Sequence, residues 1–260
     1  MTVVFNTWLR AFAPRADAAL RVVFFPHAGG SASFYRPLAR ALPEHVEALI
    51  VQYPGREDRS REQPCGSMDE LAEALAKVLE QLDDKPVWYF GHSMGASVAH
   101  EVTRRLTAAD GARPGQLIVS GRPGPARQRP DNKYLDDDRL WADVCALGGT
   151  DSRLLAMPEI RAVALPSLRA DYRLIGTYEP ALGTDLDLPV TICFGDRDPE
   201  VGLDDAEAWR AVTTGPFAVA TFPGDHFYLR GDGEGAVVGW LGEQTATHAA
   251  ADRSAPPRTR

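Results

Sequence analysis

The chain has 260 residues, 44% hydrophobic and 25% charged, with a net charge of −8. That length and balance suit one large α/β domain with a substantial core, and an acidic chain without a basic block argues against nucleic acid as the main ligand. The N-terminus lacks a long apolar run, no stretch approaches membrane-spanning length, and Cys65, Cys145 and Cys193 are unpatterned. Neither a disulfide framework nor a metal site is suggested, and a cytoplasmic protein is expected.

In chain order, apolar runs at Arg21–Phe25, Val46–Val51, Val87–Phe90, Leu117–Ser120, Val190–Phe194 and Phe217–Phe222 read as strands. Several are continuous rather than alternating, as in a parallel sheet covered on both faces. Helical patterns lie between and after them at Ala32–Leu42, Met68–Leu82, Ala96–Ala108, Leu203–Val212 and Gly235–Gln244. The rhythm predicts a doubly wound α/β fold with a mostly parallel central sheet. It breaks between Asp136 and Tyr178, where Leu140, Trp141, Val144 and Leu147, then Ile160, Val163, Leu168, Tyr172 and Ile175, recur at helical spacing. Gly148-Gly149 and Pro158 divide this stretch into at least two helices, a lid insertion spanning about 122–180. One domain is therefore expected over 1–246, with a disordered tail over 247–260 that ends in Ser-Ala-Pro-Pro-Arg-Thr-Arg.

Gly91-His92-Ser93-Met94-Gly95 follows the third apolar run and precedes a helical pattern. In that context Gly-x-Ser-x-Gly is a nucleophile elbow, with Ser93 lifted above the sheet. A serine hydroxyl needs a base and an orienting acid. Of six histidines, His226 alone is both late in the chain and on a loop after a strand, matching the order Ser, Asp, His. His92 is expected to pack structurally. Two aspartates follow the preceding strand. Asp198 is the chosen acid, whereas Asp196 reads as a turn residue bonding its own backbone. The oxyanion hole should use the amides of Met94, at the helix start, and Ala28, in the Gly-rich loop Pro26–Gly30.

Three stretches then go beyond the generic elbow: Phe25-Pro26-His27-Ala28-Gly29-Gly30-Ser31-Ala32, Tyr53-Pro54-Gly55-Arg56-Glu57-Asp58-Arg59 and Gly91 to Ala96. With Leu147-Gly148-Gly149-Thr150, Leu165 to Tyr172 and Gly224-Asp225-His226-Phe227, the chain from about Trp8 to about Gln244 resembles the type II thioesterases of polyketide and nonribosomal peptide pathways. That resemblance implies an α/β-hydrolase fold. It also implies hydrolysis of aberrant or stalled acyl groups from the 4′-phosphopantetheine arm of acyl or peptidyl carrier proteins, without a cofactor. Ser93 would be nucleophile, His226 base and Asp198 orienting acid. A product-releasing thioesterase or a general carboxylesterase would use the same three residues, and a non-catalytic relative would have no reason to retain them.

Carrier proteins are usually acidic, so docking on a chain of this charge calls for a local patch. Arg56, Arg59 and Arg61 form one candidate cluster; Arg122, Arg127 and Arg129 form another, with Arg127 and Arg129 favoured as carrier contacts. Phe34, Met157 and Tyr172 are candidate acyl-binding residues, with Met94 also weighed for the lining. A monomer is expected.

Overall fold

A computed structural model describes residues 3–109, 111, 113–148, 152–183 and 186–254. The predicted strands are β3 (Leu20–Phe25), β4 (Val46–Val51), β5 (Val87–His92), β6 (Gln116–Ser120), β7 (Val190–Gly195) and β8 (Phe217–Phe222). They pair in parallel in the order β4-β3-β5-β6-β7-β8. Two strands absent from the sequence reading, β1 (Val3–Val4) and β2 (Leu9–Ala11), extend the β4 edge antiparallel, giving eight strands among the described residues. At two and three residues they are too short to carry a periodic signal.

Alternate side chains of each strand enter different layers. Val23 and Phe25 join Leu49, Tyr89, Leu117 and Ile192 against α2 (Met68–Leu79) and α3 (Met94–Ala108). Val22 and Phe24 join Ile50, Phe90, Ile118 and Cys193 against α1 (Arg36–Ala41) and α8 (Glu234–Ser254). Loops at the C-terminal ends of the strands therefore converge on one edge, where α/β sheets place their sites.

Over that edge lies the predicted lid, in three helices: α4 (Asp137–Leu147), α5 (Ser152–Leu155) and α6 (Pro158–Gly176). Asp136 caps α4, accepting from the amides of Asp138 at 2.9 Å and Arg139 at 3.1 Å. Pro158 opens α6 at a position where a missing N–H costs nothing. Leu140, Leu168 and Tyr172 form a small core of their own between α4 and α6. The chain returns through β7 and α7 (Leu203–Glu207) to β8.

The expected disordered tail is corrected over most of its length. Helix α8 continues to Ser254; its alanine-rich end is a strong helix former, and the His248 ring packs 5.3 Å from Trp88. Residues 255–260, and Gly149 and Thr150 of the lid motif, lie outside the described residues. No described helix is long and apolar enough to cross a membrane.

Candidate active site

Ser93 sits between the end of β5 and the start of α3 with φ 54° and ψ −120°, a conformation that non-glycine residues rarely adopt. The flanking glycines make it possible. A Cβ on Gly91 would run into the Gly95 carbonyl, and one on Gly95 into the Phe25 carbonyl of β3. The Ser93 amide donates to the Ser120 carbonyl at 2.7 Å, and its side chain makes no helix cap. The Ser93 hydroxyl is thus not spent on capping α3.

The loops after β7 and β8 bring the other two predicted residues together. His226 Nδ1 lies 3.0 Å from both carboxylate oxygens of Asp198, and the two side chains are 2% and 0% exposed. A buried carboxylate on Nδ1 fixes the ring, and His226 lines the same cavity as Ser93. Asp196 does not bond its own backbone as expected. Its carboxylate accepts the Gly224 amide at 2.9 Å, tying the two loops to each other.

His92 packs structurally, as expected, with Nδ1 2.9 Å from the Ser120 hydroxyl, which is 2.6 Å from the Tyr228 hydroxyl. His27 stands edge-on to Phe34 at 4.5 Å and Phe227 at 5.0 Å. Burial, then the charge of His226, lowers its pKa to about 3, and the same causes push that of His92 well below 6.5. Both are held neutral near pH 7.

Ser93, His226, Ala28 and Phe34 share one cavity of about 180 Å³ with the lid. Its other wall comes from Trp141, Val144, Leu168 and Tyr172. Phe34 and Tyr172 are thus placed as predicted, and the Tyr172 hydroxyl donates to Asp143 at 2.9 Å. Met157 is not: it precedes α6, 44% exposed, with its side chain outside the wall. Met94 is buried beneath the elbow rather than in the wall. Trp141 and Val144 were visible in the sequence only as an inner helical stripe; nothing there separates a cavity wall from a core.

Of the two arginine clusters, the first is internal at two of its three positions, with Arg61 exposed. Arg56 and Arg59 are buried and paired with Asp171 and Glu62. In the second, Arg127 pairs with Asp205 of α7, and Arg129 donates to the carbonyls of Ala126 and Gln128. Among the described residues, no group of three or more His, Cys, Asp and Glu side chains could hold a metal ion.

A mostly parallel sheet covered on both faces, a strained serine turn after β5 and a lid over the strand ends define an α/β hydrolase. The chain belongs to the thioesterase family: residues 20–245 match its thioesterase domain. It is 44% identical over 231 residues to the thioesterase PikA5 of Streptomyces venezuelae, covering 85% of this chain and 80% of that one. A probable cadicidin biosynthesis thioesterase of Streptomyces griseus is 43% identical over 223 residues, covering 85% of this chain and 62% of that relative, so under two thirds of its length is spanned. The type II thioesterase BorB from the borrelidin biosynthetic cluster aligns with a TM-score of 0.83 at 42% identity, covering 92% of this chain and 97% of that one. The activity is thioester hydrolysis.

Proposed function

We propose that this thioesterase edits carrier proteins of a polyketide or nonribosomal peptide synthase, removing aberrant or stalled acyl groups from their 4′-phosphopantetheine arms through Ser93, His226 and Asp198. The observation that carries the mechanism is the buried Asp198–His226 pair opening on the same cavity as the strained Ser93. The editing role rests on the likeness to a type II thioesterase of a biosynthetic cluster.

His226 Nε2 takes the Ser93 proton as Oγ attacks the thioester carbonyl. The oxyanion is held by the amides of Met94 and Ala28, at a helix start and a Gly-rich loop. The C–S bond then breaks, the pantetheine thiol leaves with the proton from His226, and an acyl-serine remains. Water, deprotonated by His226, attacks that ester, and Ser93 regains its proton as the acid departs. No cofactor enters this sequence.

A cavity of about 180 Å³ with mostly apolar walls suits a short acyl chain. Arg127 and Arg129 are the proposed contacts for an acidic carrier. The Arg127–Asp205 pair lies at the surface, where such pairs are weak, so a carrier carboxylate can displace it. The test is kcat/KM for acetyl, propionyl and hexanoyl groups on a carrier protein, on N-acetylcysteamine and as p-nitrophenyl esters. Short carrier-bound thioesters should lead by about tenfold or more. Faster turnover of the free esters would instead make the chain a general esterase.

A further inference from the structure

The Gly-rich loop that carries Ala28 is gripped from two directions by side chains that do not face the cavity. Asp171, on α6, accepts the Gly29 amide at 2.7 Å. Arg56 reaches the same place from the loop after β4. Its Nη1 donates to the Gly30 carbonyl at 2.9 Å and to Asp171 at 2.7 Å, and its Nη2 donates to the other Asp171 oxygen at 2.7 Å. Both side chains are 6% exposed. The segment around Arg56 holds the loop at two more points: the Tyr53 hydroxyl donates to the Pro26 carbonyl at 3.2 Å, and Gln52 accepts the Ala32 amide at 2.8 Å.

These contacts bracket one peptide. The Pro26 carbonyl before it and the Gly29 amide after it are both fixed, and between them lies the His27–Ala28 peptide, whose N–H is the second proposed oxyanion donor. Gly29 has φ +72°, and a Cβ there would strike the Leu168 side chain, one turn before Asp171 on α6. The face of α6 that walls the cavity through Leu168 and Tyr172 therefore also holds the loop.

Stability alone is a poor account of such a pair. Desolvating two charges roughly offsets their attraction, and apolar residues would fasten the lid as well. What apolar residues cannot supply is a bond to the Gly29 amide and the Gly30 carbonyl. We infer that Arg56 and Asp171 are positioning residues, which set the Ala28 amide at its distance from Ser93 and make that distance depend on the seating of α6. The inference rests on the proposed serine mechanism. A preorganised donor stabilises charge that develops in the transition state, so its displacement lowers kcat and leaves KM nearly untouched.

The test compares wild type with Arg56→Lys, Asp171→Asn and the double variant Arg56→Met/Asp171→Leu, which removes both charges and leaves none buried alone. Circular dichroism and thermal melting select folded variants. Three quantities are read: kcat and KM for propionyl-N-acetylcysteamine, and Ki for phenylboronic acid, which forms a tetrahedral anion on the serine. Losing an oxyanion donor costs ~10²–10³ in rate, so a displaced one should lower kcat by roughly 10–10²-fold. KM should stay within about threefold, and Ki should rise by the same factor as kcat falls. Folded variants with wild-type Ki, or a loss confined to KM, would overturn the inference. Boronate binding does not require the thioester to be the substrate. A wild type that binds boronate yet spares the thioester would sink the proposed function, while the Ki series would still decide this one.

Discussion

The two histidines beside His226 should make the fold acid-sensitive by a calculable amount. The His27 ring is 5.8 Å from His92, which is 5.0 Å from His226. Burial first, then the charge of His226, lowers the His27 pKa from 6.5 to about 3 and that of His92 well below 6.5. The unfolded chain binds a proton at each site below pH ~6.5, whereas the native state does not, so this stability is complete above that pH and is lost as pH falls. Going from pH ~7 to pH ~5 traverses about 1.5 units of the window, which at ~1.4 kcal/mol per unit removes about 2 kcal/mol through His27. His92, shifted down by the same causes, adds to the loss in the same direction, and the His27 part alone is a sizeable share of the ~5–15 kcal/mol typical of a domain. Urea melts of wild type, His27→Gln and His92→Asn at the two pH values isolate each contribution. His27→Gln should lose about 2 kcal/mol less than wild type on acidification, and His92→Asn should also lose less than wild type. Equal losses, within about 0.5 kcal/mol, would refute the reasoning that both rings are held neutral.

Other outcomes follow from the same geometry. Asp198→Asn should lower kcat by roughly 10⁴-fold by fixing the wrong tautomer of His226, while Asp196→Asn, which loses only part of a loop tie, should change kcat by less than about tenfold. Stopped-flow hydrolysis of propionyl-N-acetylcysteamine separates the two. Ala164→Leu, on the lid wall of the cavity, should penalise hexanoyl relative to acetyl substrates by about tenfold for each methylene it excludes. Arg127→Ala/Arg129→Ala should reduce kcat/KM several-fold on a carrier-bound substrate at low salt, and leave the N-acetylcysteamine thioester unchanged.

How far the sequence could be read depended on how local each determinant was. Strands β3 to β7 are near-continuous apolar runs because both faces are covered, and that pattern needs no partner to be seen; β8, at the sheet edge, is apolar but only partly buried. The elbow was legible because its Gly-x-Ser-x-Gly pattern is contained in five residues, even though the demand on Gly95 comes from Phe25 of β3. Asp198 was separable from Asp196 by loop position, but the tie from Asp196 to Gly224 was not, since the two are 28 residues apart. Arg56 looked like part of an exposed cluster, for its partner Asp171 lies 115 residues on and no periodic signal links them. The cavity wall failed similarly: the stripe containing Trp141 and Leu168 was visible, yet the rotation that leaves Met157 outside depends on how α4 and α6 pack. The end of α8 was misread because the Pro- and Arg-rich sequence that follows it outweighed an alanine run that extends the helix.

The most direct test of the central claim is whether the acyl group passes through Ser93. Wild type and Ser93→Ala are mixed with propionyl-carrier protein, acid-quenched at millisecond intervals and examined by peptide mass mapping. A propionyl adduct on the Ser93 peptide that forms no slower than turnover, with the carrier thiol freed and neither event seen in Ser93→Ala, is the expected result. Hydrolysis that persists in Ser93→Ala, or an adduct on another residue, would contradict it.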